Sequence, residues 1–237
     1  MSTPLTAEGR SANRNRIVLL VQFAVLLAVE ALVCFTPLGS LPIGPLVATL
    51  SHIPVIFTAV LFGPLAGAGM GFFFGLFSFL VWTFQAPNPV IAFLFTPAYS
   101  APDAAGGNPL SLLIVFVPRI LIGVTAGLSY KALSGIKRKD AAADGEAKAV
   151  GLPAKTAAMS AAAVLGTLTN TILVLGGFFL FFHGSLSELG AIPAGQGLVA
   201  FIIAQAGWNA LLELAAAVVL TAPVCLALQK VRERITL

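Results

Sequence analysis

The sequence predicts an all-α integral membrane protein with six transmembrane helices and both termini cytoplasmic. Three observations predict it. Hydrophobic residues fill 58% of the 237 positions and charged residues only 9%. A soluble domain carries roughly a quarter charged residues, so this chain cannot cover a water-facing surface. Apolar runs then recur along the whole length, and at about 20 residues per span six of them with their loops use nearly all of it. Finally, the basic residues gather in three places. Arg10, Arg14 and Arg16 precede the first run, Lys131, Lys137, Arg138, Lys139, Lys148 and Lys155 lie in or beside one loop, and Lys230, Arg232 and Arg234 end the chain. The positive-inside rule puts all three clusters in the cytoplasm. In a soluble protein a net charge of +4 would suggest nucleic acid; here the lipid bilayer accounts for the same residues, and no nucleic-acid partner is expected.

Taken in order, residues 1–14 form a polar cytoplasmic N-terminus and 15–230 the membrane domain. The first span, about 15–36, runs outward and carries Glu30 in its outer half. It is too long for the core of a cleaved signal peptide and has no small-x-small site, so it reads as a retained helix. The outer loop TPLGSLPIGP holds three prolines and two glycines, a composition that argues against regular structure. The second span is about 46–62, with His52 and Pro54 near its outer end, and the third about 65–84, after a tight Gly63-Pro64 turn. In this hairpin Gly63, Gly67, Gly71 and Gly75 recur every fourth residue. That spacing places them on one helix face, where absent side chains let another helix backbone come close. Ala24 and Ala28 make a second small-residue face on the first span.

From Gln85 to Asn108 runs the longest outer segment, with four prolines, two glycines and no Lys or Arg. A loop this long is functional or disordered, and disorder does not suit so apolar a composition; an ordered lid is expected. The fourth span, about 109–133, carries Pro118-Arg119 in mid-helix, and a polar cytoplasmic loop 134–153 follows. The fifth span, about 155–182, has Thr167, Thr169, Asn170 and Thr171 near its middle. The sixth, about 197–229, bears Gln205, Trp208, Asn209 and Glu213, and 231–237 is a basic cytoplasmic tail. Cys34 and Cys225 are too few for a disulfide framework.

A charge at membrane depth costs about 2.5–3.5 kcal/mol or more, so each one asks for a function. Three qualify: Glu30, Arg119 and Glu213. Counted at about 1.5 Å per residue, they and Asn170, Gln205 and Asn209 fall in the outer half or midplane of spans one, four, five and six. Spans two and three offer almost no polar groups. One account is structural: Arg119 pairs with Glu213 or Glu30, and the amides bond across helices. The other is a shared polar cavity, open to the outside and covered by the 85–108 loop. Trp82, near a helix end, reads as part of the interfacial belt, whereas Trp208 suits the cavity.

Catalysis is not indicated. His52 and His183 sit at outer helix ends, and the sequence has no HExxH, GxSxG, CxxC or GxxxxGK[ST]. No catalytic residue, metal ligand or cofactor is therefore expected, and no ATP site.

Several stretches carry a resemblance. They are Ala24-x-x-x-Ala28; His52-Ile-Pro-Val-Ile56; and Gly63-Pro-x-x-Gly67 running into Phe74-Gly75-x-x-Ser78. Asn108-Pro109 leading to Val117-Pro-Arg-Ile-x-x-Gly123 and Leu168-Thr-Asn-Thr171 complete the set. In this order, over about two-thirds of the chain, they resemble the S components of energy-coupling factor (ECF) vitamin transporters, most of all the pantothenate-type branch. The resemblance implies a multi-pass subunit of a prokaryotic cell membrane that binds a vitamin in its outer half. It implies separate partners, a transmembrane coupling subunit and two ATPases, which drive inward release. Ala24, Ala28, Gly63, Gly67, Gly71 and Gly75 would meet the coupling subunit. For pantothenate, Arg119 would take the carboxylate, Asn170, Asn209 and Gln205 the amide and hydroxyls, and Trp208 the gem-dimethyl carbons. Glu213, Glu30, His52, Asn88 and Tyr99 complete the candidate substrate contacts. S components for cobalamin, pyridoxine or a pyrimidine precursor look similar, and a stand-alone small-solute transporter or channel is the alternative outside the family.

Overall fold

The computed structural model describes residues 7–36, 40–43, 46–102, 106–143, 151–190, 195 and 197–236. Within them, side chains at 7–12, 40–43, 46–49, 136–143, 205, 206, 208, 209, 235 and 236 lie outside the description. Helices carry the fold: α1 Ala7–Phe35, α2 Ile53–Phe62, α3 Pro64–Phe84, α4 Leu110–Ala143, α5 Leu152–Glu188 and α6 Leu198–Thr236. Between α1 and α2 lies a hairpin of β1 Ser40–Ile43 and β2 Leu46–Thr49, paired antiparallel with Ser40 opposite Thr49. This corrects two expectations. The proline- and glycine-rich loop does contain regular structure, and residues 46–49 extend that hairpin instead of opening the second helix.

Among the described residues, five stretches are long and apolar enough to cross a membrane: Asn13–Phe35, Pro64–Phe84, Leu110–Gly135, Leu152–Glu188 and Ala210–Arg234. The remaining apolar helix, α2, has only 10 residues, about 15 Å at 1.5 Å each, against a hydrocarbon core of about 30 Å. It is apolar but for Thr58, whose hydroxyl donates to the Pro54 carbonyl at 2.9 Å, and Ile53 through Val60 are all buried. A helix of that kind belongs inside a bundle rather than on its lipid face.

One glycine joins α2 to α3. Gly63 donates its backbone N–H to Ala59 and accepts from Gly67, both at 3.0 Å. Its φ of 96° suits glycine alone, and Pro64 then occupies the first helical position, where no N–H is needed.

The glycine ladder packs α3 on α4. A Cβ on Gly67 would lie 2.8 Å from the Gly123 carbonyl oxygen; one on Gly71 would run into the Arg119 carbonyl, and one on Gly75 would come within 2.9 Å of the Phe116 ring. Residue numbers rise on α3 as they fall on α4, so the two helices are antiparallel neighbours at backbone contact. At the opposite side Gln22 of α1 donates to the Leu228 carbonyl of α6 at 3.1 Å.

Two apolar cores result. One gathers α2 with Leu26, Met70, Phe74, Ile122, Met159 and Ala217 around it. The other lies at one end of the bundle, where Phe93, Leu94 and Ala101 of the 85–108 loop meet Ile114, Phe178 and Phe201. That loop is described at 85–102 and 106–108. It contains a 3₁₀ turn, Pro89–Leu94, capped by Asn88, whose side chain accepts from the Val90 N–H at 3.0 Å. A 2.8 Å hydrogen bond between Thr83 and Thr96 ties the loop to the end of α3.

Candidate ligand site

A cavity of about 200 Å³ lies beneath that loop, and six parts of the chain wall it. α3 contributes Phe74, Ser78, Val81 and Trp82, a spacing of four, seven and eight that falls on one helical face. Cys34 ends α1, Ser51 and His52 precede α2, Arg119 comes from α4, Asn170 and Val174 from α5, and Pro87 and Phe95 from the loop. A larger cavity, about 410 Å³, lies between α4, α5 and α6 among Leu113, Val117, Ile172, Gly176, Leu180 and Ile202. Its walls are almost entirely apolar, so the smaller space is the one better equipped for recognition.

Arg119 is the cation of the site and is only 7% exposed. Its position in the helix explains how it is held. Pro118 has no backbone N–H, so the Ile114 carbonyl one turn earlier loses its usual donor. Arg119 Nη1 donates to that oxygen at 2.9 Å. Its guanidinium carbon stands 5.4 Å from the Phe74 ring centroid and 5.9 Å from that of Phe95, within cation–π range. Phe95 is itself stacked on Trp82 at 4.3 Å and 13°, and set edge-on to Phe178 at 5.3 Å.

Among the buried polar atoms with no hydrogen-bond partner in the described residues are Arg119 Nε and Asn170 Oδ1. Both residues line the cavity. One atom is a donor and the other an acceptor, and buried groups of this kind are almost always satisfied. His52 lies deeper, its Nε2 at 3.1 Å from Thr167 Oγ1. Glu30 is fully buried one step behind the wall, where Cys34 Sγ donates to Oε1 at 3.3 Å.

Of the expected substrate contacts, Arg119, Asn170 and His52 come together here. Glu30 reaches the cavity only through Cys34. Glu213 is buried on α6 within electrostatic reach of Arg119 but is not among the lining residues. Asn88 is exposed, its side-chain oxygen engaged in capping the 3₁₀ turn, and Tyr99 packs against the second core; neither lines the cavity. The side chains of Gln205, Trp208 and Asn209 lie outside the described residues, although the backbone there breaks from helical geometry at Gly207, φ 40° and ψ −140°.

Three expectations are corrected. Trp82, expected in the interfacial belt, lines the cavity. Helix α3 and the start of α2, thought almost empty of polar groups, supply Ser51, His52 and Ser78. Gly67, Gly71 and Gly75 face α4 of their own chain, where backbone contact leaves no room for a partner, and Gly63 serves the turn. Phe74, Ser78 and Trp82 share one face of α3 at four-residue spacing, a signal the sequence reading did not use; Phe95 had no signal beyond its place in the loop.

An apolar helical bundle that closes a small polar cavity around one buried guanidinium has the architecture of a solute-binding membrane protein. The sequence agrees: residues 18–225 match the family model described as ECF transporter, substrate-specific component, and the chain belongs to that family. It is also 36% identical over 165 residues to the pantothenic acid transporter PanT of Lactococcus lactis subsp. cremoris (strain MG1363), an alignment that covers 68% of this chain and 73% of that protein. It is thus the substrate-specific membrane component of a transporter, similar to a pantothenate transporter.

Proposed function

We propose that this chain is the pantothenate-binding S component of an ECF-type importer, holding its ligand in the cavity beneath the 85–108 loop. The observation that carries the reading is Arg119: a buried guanidinium with an unspent Nε–H beside a cavity of about 200 Å³. A guanidinium grips a carboxylate in a planar, charge-assisted contact. Asn170 Oδ1 would accept from a hydroxyl or amide N–H of the same molecule, and the Phe74, Phe95 and Trp82 rings suit its methyl-bearing carbons. The likeness to PanT supports the same ligand. A cavity below the 300–1,000 Å³ range of drug-sized pockets argues against cobalamin.

In this reading the Lys and Arg clusters put both termini in the cytoplasm, α2 with its hairpin completes a six-helix membrane domain, and the cavity opens to the outside. Energy comes from a separate transmembrane coupling subunit and two ATPases, which bring about inward release. The exposed Ala24 and Ala28 face of α1 is the surface left for the coupling subunit.

The test is the thermal stability of the purified protein against a panel of vitamins. A ligand at a hundred times its Kd adds about 2.7 kcal/mol, so pantothenate should raise Tm where pyridoxine, cobalamin and thiamine precursors do not. Arg119→Ala should weaken pantothenate binding by about 2–5 kcal/mol while leaving a folded protein. Unchanged affinity in a calorimetric titration would remove the carboxylate from Arg119.

A further inference from the structure

The binding role given to Arg119 raises the question of what aims it. An arginine side chain in a cavity has many rotamers, and an unrestrained guanidinium would turn toward whichever acceptor it met first. Here three contacts restrain it. Nη1 is fixed to the Ile114 carbonyl at 2.9 Å, and Phe74 and Phe95 stand 5.4 and 5.9 Å away. The anchor exists only because of the preceding residue. In a regular helix the N–H of residue 118 would occupy the Ile114 oxygen, and Pro118 has none.

We propose that Pro118 is a positioning residue for recognition. By leaving the Ile114 carbonyl open it supplies the anchor that, with Phe95, presents the Nε edge of Arg119 to the cavity, so that the site selects carboxylates over neutral analogues. The inference rests on the substrate reading above. Phe95 acts in concert, since it arrives on the lid loop and its stacking on Trp82 at 4.3 Å makes the aim of Arg119 depend on that loop being seated.

The experiment compares pantothenate with its alcohol analogue, in which CH₂OH replaces the carboxylate, by calorimetric titration of the full chain and two variants. The wild type should prefer the acid. In Pro118→Ala a new N–H takes the Ile114 oxygen and frees Nη1. Acid affinity should then fall about tenfold or more, as expected for a misdirected charge-assisted contact, with the alcohol within about twofold. Because alanine suits a helix interior better than proline, Tm should not fall. Phe95→Leu, with the backbone untouched, should lower affinity for both, since its ring also meets the methyl-bearing carbons, and for the acid by the larger factor. Acid affinity kept in both variants, or equal loss of acid and alcohol in both, would overturn the positioning role. A wild type that binds acid and alcohol equally would overturn it too while leaving the pantothenate reading intact; a wild type that binds neither would remove that reading and this inference together.

Discussion

Two stripes of small residues run through this protein at the same four-residue spacing, and they do opposite things. Gly67, Gly71 and Gly75 are buried on α3, where a single added carbon would meet the backbone of α4 or the Phe116 ring. Ala24 and Ala28 on α1 are exposed, among Leu20, Val25 and Leu32, each at least half exposed. Spacing alone shows that something can approach closely; it does not say whether that is the next helix of the same chain or another molecule. The difference lies in what each helix must bury. α3 follows α2 through a one-residue turn and is drawn into the bundle beside α4, whereas α1 has half of its circumference left over.

Substitutions along the two stripes should separate them. Gly71→Leu would force a branched side chain onto the Arg119 carbonyl and should lower stability by more than about 4 kcal/mol, seen as loss of monodisperse protein in detergent. A fully stable variant would mean that α3 and α4 can part. Gly63→Ala tests the turn rather than the seam. Open space surrounds the position, but φ is 96° with ψ 174°, a region essentially restricted to glycine, so about 1–3 kcal/mol should appear as a lower Tm with ligand affinity unchanged. Ala28→Leu on the exposed stripe should alter the isolated protein by no more than about 0.5 kcal/mol. In the proposed transporter it should nevertheless reduce co-purification with the coupling subunit, and unchanged assembly would move that interface off α1.

How much of this could be read from the residues follows the same division. The membrane character, the glycine seam and the polar set Arg119, Asn170 and His52 were legible because a polar group in an apolar run is costly enough to stand out. The aromatic wall was not. Phenylalanine and tryptophan are common in membrane helices for reasons of lipid contact, so Phe74, Trp82 and Phe95 gave no contrast, although Phe74, Ser78 and Trp82 share one face. The β1–β2 hairpin was hidden by prolines that break helices but are tolerated at the edge of a two-stranded ribbon. The length of α2 was misjudged because apolar residues dominate from Leu46 to Phe62, with only Thr49, Ser51, His52 and Thr58 between them, while periodicity cannot separate a short buried helix from strand plus helix.

The brevity of α2 has a consequence for how the chain is made. A largely apolar segment of 10 residues leaving the ribosome cannot bridge the hydrocarbon by itself. Helix α3, joined to it by Gly63 alone and 21 residues long, can. Length and hydropathy therefore favour entry of the two as a pair, with α3 supplying most of the partitioning free energy. A translation product that stopped at the Gly63-Pro64 turn would have α1 as its anchor and every residue of α2, but not the helix that carries α2 in.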